Sequence, residues 1–140
     1  MRKYLVFVFF VICLHGVACA AGIAVGGQKA WSTEEDAYLA TAGYMLRPDK
    51  RKFEYYESGV LVFVAPHAGA GIETAYGFYG GYFYYLMPIL RPGVSAGTLY
   101  YLHSYGDFRV DYYIALSIQA GAFSFTVSNY GIGGGLNYMF

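Results

Sequence analysis

Phe108-Arg109-Val110-Asp111-Tyr112-Tyr113-Ile114-Ala115-Leu116-Ser117-Ile118-Gln119-Ala120 is the stretch on which the fold turns. Phe108, Val110, Tyr112, Ile114, Leu116 and Ile118 alternate without a break with Arg109, Asp111, Tyr113, Ala115, Ser117 and Gln119. A period of two held over such a length marks a β-strand with one greasy and one polar face. The pattern continues downstream. Phe123, Phe125 and Val127 alternate with Ser124, Thr126 and Ser128, and then Ile132, Gly134, Leu136, Tyr138 and Phe140 alternate with Gly133, Gly135, Asn137 and Met139.

Working outward, Ala68, Ala70, Ile72, Thr74, Tyr76 and Phe78 form a further apolar face, with Glu73 turned the other way. The stretch Phe53 to Val64 is compatible with either parity. Tyr38, Ala40, Ala42, Tyr44 and Leu46 supply a first strand beginning near Ala37, although Ser32-Thr33-Glu34-Glu35 is also a capping box able to start a short helix. With that strand the count reaches eight.

Hairpin turns can be checked for register, because a slip of one residue sets greasy against polar. A turn at Ala120-Gly121 pairs Ile118 with Phe123, and one at Asn129-Tyr130 pairs Val127 with Ile132. A turn at Tyr105-Gly106-Asp107 pairs Leu102 with Val110 and His103 with Arg109. Turns at Gly80-Gly81 and Arg91-Pro92 pair Phe78 with Phe83 and Ile89 with Val94. All five keep the faces matched.

Composition names the solvent. The chain has 140 residues, of which 57% are hydrophobic and 13% charged, about half the charged fraction of a soluble domain. So apolar a chain is not disordered, and a formal net charge of zero without a basic face argues against nucleic acid. Met1-Arg2-Lys3, an apolar run from Tyr4 to Leu14 and Ala18-Cys19-Ala20 read as a secretory signal cleaved after Ala20. The run is too short for a membrane helix of about 20 residues. The expected organisation is a signal peptide at 1–20, a periplasmic segment at 21–36 and the strand domain at 37–140. Both cysteines, Cys13 and Cys19, then leave with the signal, which excludes a disulfide scaffold and a thiol nucleophile. His67 and His103 lack metal-like spacing, and no cofactor is expected.

An open sheet with a continuous apolar face would leave unpaired backbone groups in lipid, so eight such strands must close. The expected fold is all-β: an eight-stranded antiparallel transmembrane β-barrel with short hairpin turns, preceded by the cleavable signal. Its interior is only wide enough for side chains, which excludes a general diffusion porin. Tyr79, Tyr82, Tyr84, Tyr101, Tyr113 and Arg109 are expected to fill it.

The signal, the strands and a terminal Phe140 with Tyr138, Leu136 and Ile132 at alternate positions resemble small bacterial outer-membrane barrels of the OmpA-like and OmpX-like kind. The last strand is similar to the assembly signal that the barrel-insertion machinery reads in that class. The resemblance implies a Gram-negative outer membrane, periplasmic termini, and outer tips at residues 47–52, 80–81, 105–107 and 129–130. Lipid A deacylases of this architecture carry a His-x-Ser-Asn motif. Ser128-Asn129 matches its end, but Thr126 stands where the motif has His.

Two candidate sites follow. In the lumen, Glu73, Tyr101, His103, Arg109 and Asp111 form a polar network near the outer end, read either as packing in which charges neutralise one another or as a base, His103, with Asp111 and Ser104. At the first tip, Arg47, Lys50, Arg51 and Lys52 suit lipopolysaccharide phosphates. The sequence thus points to a small envelope-structural or surface-interaction barrel in contact with outer-membrane lipids. The alternatives are a lipid A-modifying acyl hydrolase or acyltransferase, or a hydrophobic-ligand barrel with room at Gly71, Gly77 and Gly97.

Overall fold

The computed structural model describes residues 20–31, 36–47, 53–67, 71–102 and 108–140. They form eight strands: β1 (Ala20–Ala30), β2 (Tyr38–Leu46), β3 (Glu54–His67), β4 (Gly71–Tyr84), β5 (Leu90–Leu102), β6 (Phe108–Ala120), β7 (Phe123–Ser128) and β8 (Gly131–Met139). Every neighbouring pair is antiparallel, and β1 pairs with β8 to close the barrel. No described residue is helical.

Two expected boundaries need correcting, and they compensate in the count. The segment expected to lie outside the barrel at 21–36 supplies β1, whose pairs run from Gly22–Met139 to Ala30–Gly131. The barrel therefore begins at residue 20 rather than 37. Residues 1–19 and the 32–35 capping box lie outside the described residues. Gly80-Gly81, expected to turn, lies inside β4 opposite Ala96 and Ser95, and Arg91-Pro92 lies inside β5 opposite Gln119 and Ile118. The turn falls instead at 85–89, where Leu90 N–H donates to the Met87 carbonyl at 3.1 Å. Because β4 runs straight through, Tyr82 and Tyr84 keep the parity of Tyr76 and Phe78 and point outward, not into the lumen.

Elsewhere parity is kept. Val127 does pair with Ile132. The expected β5–β6 and β6–β7 pairings slip by two residues, to Leu102–Phe108 and Ala120–Phe123, which leaves the faces unchanged. The β6–β7 turn is Gly121-Ala122, with Gly121 at φ +61°. Positive φ at the first central position alone is the two-residue hairpin geometry that calls for Gly there.

Stagger sets the width. A row of partners leaves β1 at Gly22 and passes through Met45, Glu57, Gly81, Ser95 and Ala115 to Ser128. The β7–β8 register, continued one residue past Val127–Ile132, leads on to Gly131, whose β1 partner is Ala30, eight residues from the start. Eight strands with that stagger tilt by about 36° and enclose a space that side chains fill. The inward face carries Leu39, Met45, Tyr55, Leu61, Tyr79, Phe83, Leu99, Tyr101 and Tyr113, all buried. The outward face is greasy around the wall: Val25, Val60, Phe78, Val94, Ile114, Leu116, Phe125 and Leu136 are exposed. Exposed aromatics gather toward both rims, with Tyr38, Tyr76, Tyr100, Phe108 and Tyr112 at one and Tyr56, Tyr82, Tyr84, Phe123, Tyr138 and Phe140 at the other.

Strand direction assigns the connections to ends. The 47–53, 85–89 and 121–122 connections share an end with Ala20 and Phe140, while 31–37, 68–70, 103–107 and 129–130 lie at the opposite end. The basic connection after Arg47, expected at the same end as 105–107 and 129–130, is therefore at the other end of the barrel from them.

Candidate functional site

The interior is built as two aromatic plugs with a polar chamber between them. At the end carrying the termini, Met45, Tyr55 and Phe83 form one buried cluster, with Tyr85 and Met139 against it. Tyr55 and Phe83 stack with ring centroids 5.1 Å apart. Toward the other end, Leu39, Leu61, Leu99, Tyr79, Tyr101 and Tyr113 form the second cluster, topped by Phe63 and Tyr130. Phe63 meets Tyr101 and Tyr130 edge-on at 5.9 and 5.4 Å, a favoured arrangement for aromatic rings.

Between the plugs sits Glu57, buried on β3. Tyr79 Oη donates to its Oε1 at 2.5 Å, and Gln119 Nε2 donates to its Oε2 at 3.2 Å. Tyr55 Oη in turn donates to Gln119 Oε1. A second chain links Ser128 Oγ to Gln28 Oε1 at 2.5 Å and Gln28 Nε2 to Tyr113 Oη at 2.9 Å. Thr41, Ser95, Ser117, Ser124 and Thr126 add hydroxyls around a cavity of about 40 Å³. That is room for a few waters, not for a permeation path.

The expected lumen network is brought together only in part. Tyr101 faces Arg109 across β5–β6, and the guanidinium carbon lies 4.2 Å from the Tyr101 ring centroid. Arg109 also reaches Asp111 at 3.8 Å. However, Arg109 is 56% exposed, so this group forms the mouth of the barrel rather than a sealed layer. Asp111 sits opposite Leu99, not Tyr101, and its Oδ1 accepts the Tyr112 backbone N–H at 2.9 Å. Glu73 lies on the inward side of β4 near the same end. Tyr130, in the β7–β8 turn, lies with its hydroxyl 3.2 Å from that of Tyr101, and burial above all holds its phenol above the ordinary value. His103 and Ser104 lie outside the described residues, as do Lys50, Arg51 and Lys52.

Ser128-Asn129, the remnant of the deacylase-like motif, has structural work. Ser128 Oγ accepts the N–H groups of Tyr130 and Gly131 at 3.0 and 3.1 Å and gives its proton to a carboxamide. Asn129 accepts from Ile114 N–H at 2.9 Å and donates to Tyr112 carbonyl at 2.8 Å, extending the β6–β7 ladder past the end of β7. A serine whose proton goes to a carboxamide rather than a base is not an activated nucleophile. No group of three or more metal-binding side chains occurs among the described residues.

Sequence reasoning misses Glu57, Gln28 and Arg91 as interior groups, and it places Gln119 on the inward face without giving it a role. Glu57 lay in the stretch of open parity, and Gln28 lay upstream of the expected barrel. Arg91 was read as a turn. Gln119 had a usable signal, since it follows Tyr113, Ala115 and Ser117 on one face of β6.

No family model matches this chain, and no curated protein or solved structure matches it. Fold and interior together define a class of architecture: a closed eight-stranded antiparallel barrel, filled at both ends.

Proposed function

We propose that the chain is a small non-conducting outer-membrane barrel with an envelope-structural or surface-interaction role. The observation that carries this reading is the wall. Leucine, isoleucine, valine and phenylalanine face outward from seven of the eight strands, with tyrosine and alanine on β2, between two belts of exposed aromatics. A soluble barrel would present polar residues there, whereas a lipid-facing one needs an apolar band with aromatic girdles. β6, at 13 residues, spans roughly 35 Å at about 3.3 Å rise and the tilt given above, enough for a hydrocarbon core of about 30 Å. The two plugs support a role without conduction.

Ile132, Leu136, Tyr138 and Phe140 project together from the last strand and its end, which suits recognition by barrel-insertion machinery. With the termini in the periplasm, the 47–53 connection faces the periplasm and is not placed to meet lipopolysaccharide. At the opposite end, Lys29 and Arg109 each sit beside a carboxylate, Asp36 at 3.6 Å and Asp111 at 3.8 Å. Lipid contact in this reading therefore falls on the apolar wall.

The test is fractionation of a Gram-negative host expressing the chain, with boiled and unboiled samples run on the same gel. The reading expects the protein in outer-membrane fractions with a mobility shift on boiling. Recovery in the soluble fraction, or no shift in a correctly folded sample, overturns it.

A further inference from the structure

Arg91 is the most unusual group in the barrel. It is only 5% exposed, yet its guanidinium meets no carboxylate among the described residues. Nη2 donates to the Gly121 carbonyl at 2.6 Å and to Asn137 Oδ1 at 2.8 Å, and Nη1 meets Met139 Sδ. The rings of Tyr55 and Tyr85 lie 5.9 and 5.7 Å from its central carbon. All of these partners are neutral. Burying a guanidinium without a counter-charge costs several kcal/mol, so the arrangement is incomplete as a purely internal one.

Two further observations point the same way. Arg91 Nε and Asn137 Nδ2 are buried donors with no acceptor among the described residues, and a buried donor without a partner calls for a reason. The Asn137 amide cannot turn to hide its donor, because its Oδ1 is held by Arg91 Nη2. Arg91 and Asn137 both line an open depression of about 240 Å³, together with Ile89, Ala122, Tyr138 and Met139. Arg47 adds a second guanidinium at this end, stacked on the same Tyr85 ring at 5.1 Å.

We propose that this end of the barrel, the one carrying the chain termini, holds a binding site for a phosphate-class oxyanion. The ligand accepts from Arg91 Nε and Asn137 Nδ2 and supplies the missing negative charge. A guanidinium and an amide arranged as donors around one oxyanion give the charge-assisted hydrogen bonds that phosphates favour. Membership of the outer membrane is not required for this. A free phosphate and the phosphate of a lipid headgroup offer the same chemistry.

The full chain is folded in neutral detergent, and its unfolding midpoint is read while inorganic phosphate replaces chloride at constant ionic strength. In parallel, the chain is placed in phosphatidylcholine vesicles with and without phosphatidylglycerol. A ligand that binds only the folded state raises the midpoint with concentration. Asn137→Asp is the decisive variant, because it places a carboxylate beside Arg91 without removing the guanidinium. The expected result is a midpoint several degrees higher for wild type in phosphate, with Asn137→Asp already raised and insensitive. A rise with inorganic phosphate assigns the site to a free oxyanion, and a rise only with phosphatidylglycerol assigns it to a headgroup. Phosphate also stabilises proteins without binding to a site, so an equal rise in wild type and Asn137→Asp overturns the proposal. No rise in either medium does the same.

Discussion

Removing one hydroxyl, in Tyr79→Phe, probes whether the polar chamber holds the barrel together. The Tyr79 ring packs edge-on against Tyr113 at 6.3 Å and stays in place in the variant. What is lost is the 2.5 Å donation to Glu57, leaving that buried carboxylate with Gln119 alone. A hydrogen bond to a charged group contributes about 1.5–3 kcal/mol, and that is the expected loss in urea unfolding of the barrel in detergent or vesicles. Tyr84→Phe is the matched control. Its ring points outward and is half exposed, so its loss stays within about 0.5 kcal/mol. If the Tyr79 hydroxyl acts through the Glu57 charge, repeating the substitution in a Glu57→Gln background reduces its cost to about 0.5–1.5 kcal/mol, the range for a neutral pair. The reasoning is refuted if Tyr79→Phe costs no more than Tyr84→Phe. Equal losses in the two backgrounds would also refute it.

Other consequences separate wall from interior. A Cβ at Gly97 would run into the Phe78 carbonyl and come within 2.8 Å of Tyr79 Cα, whereas one at outward-facing Gly80 meets nothing nearer than 3.9 Å. Gly97→Ala should therefore lower stability by about 1–3 kcal/mol and Gly80→Ala should raise it by about 0.4–1 kcal/mol, both read from the urea midpoint. Deleting residues 20–30 removes β1, so β2 keeps only β3 and β8 keeps only β7, each with one unpaired edge. The truncated chain should give no compact band on an unboiled gel; a compact band would mean that residues 37–140 close on their own.

Legibility in the sequence followed the contrast between faces. β6, β7 and β8 announce themselves because bulky apolar residues alternate with Ser, Thr, Asn and Gly, and Phe108–Ala120 alone settles strand over helix. β1 has little such contrast. Its inward residues are Gly22, Ala24, Gly26, Gln28 and Ala30, and its outward ones include Gly27. Small residues there answer a tertiary demand, since a Cβ on Gly22 would strike the Tyr138 carbonyl and one on Gly26 would come within 2.8 Å of Thr41 Oγ1. Nothing in the local pattern states that demand. The Gly80-Gly81 pair misled for the opposite reason. It has turn composition but lies within a strand, while the true turn is Tyr85-Leu86-Met87-Pro88-Ile89, which is apolar apart from its tyrosine hydroxyl. Moving that turn displaced Arg91 from a tip into the interior and inverted the end at which the connection after Arg47 lies, while 103–107 and 129–130 keep the expected end. The mouth residues Tyr101, Arg109 and Asp111 were legible from parity alone. Glu57 and Gln119 meet only because β3 and β6 face each other across the lumen, a relation that depends on stagger.

The account's central claim is a wall in lipid around a filled interior, and tryptophan placement tests it most directly. Trp31 is the sole tryptophan, so Trp31→Phe gives a silent background. Leu116→Trp on the wall and Tyr113→Trp in the interior are then compared in vesicles of lipids brominated at known depths along the chain. The account predicts strong quenching at 116 by bromines near the bilayer centre and little at 113 from any depth. Equal quenching at the two positions, or none at 116, would contradict it.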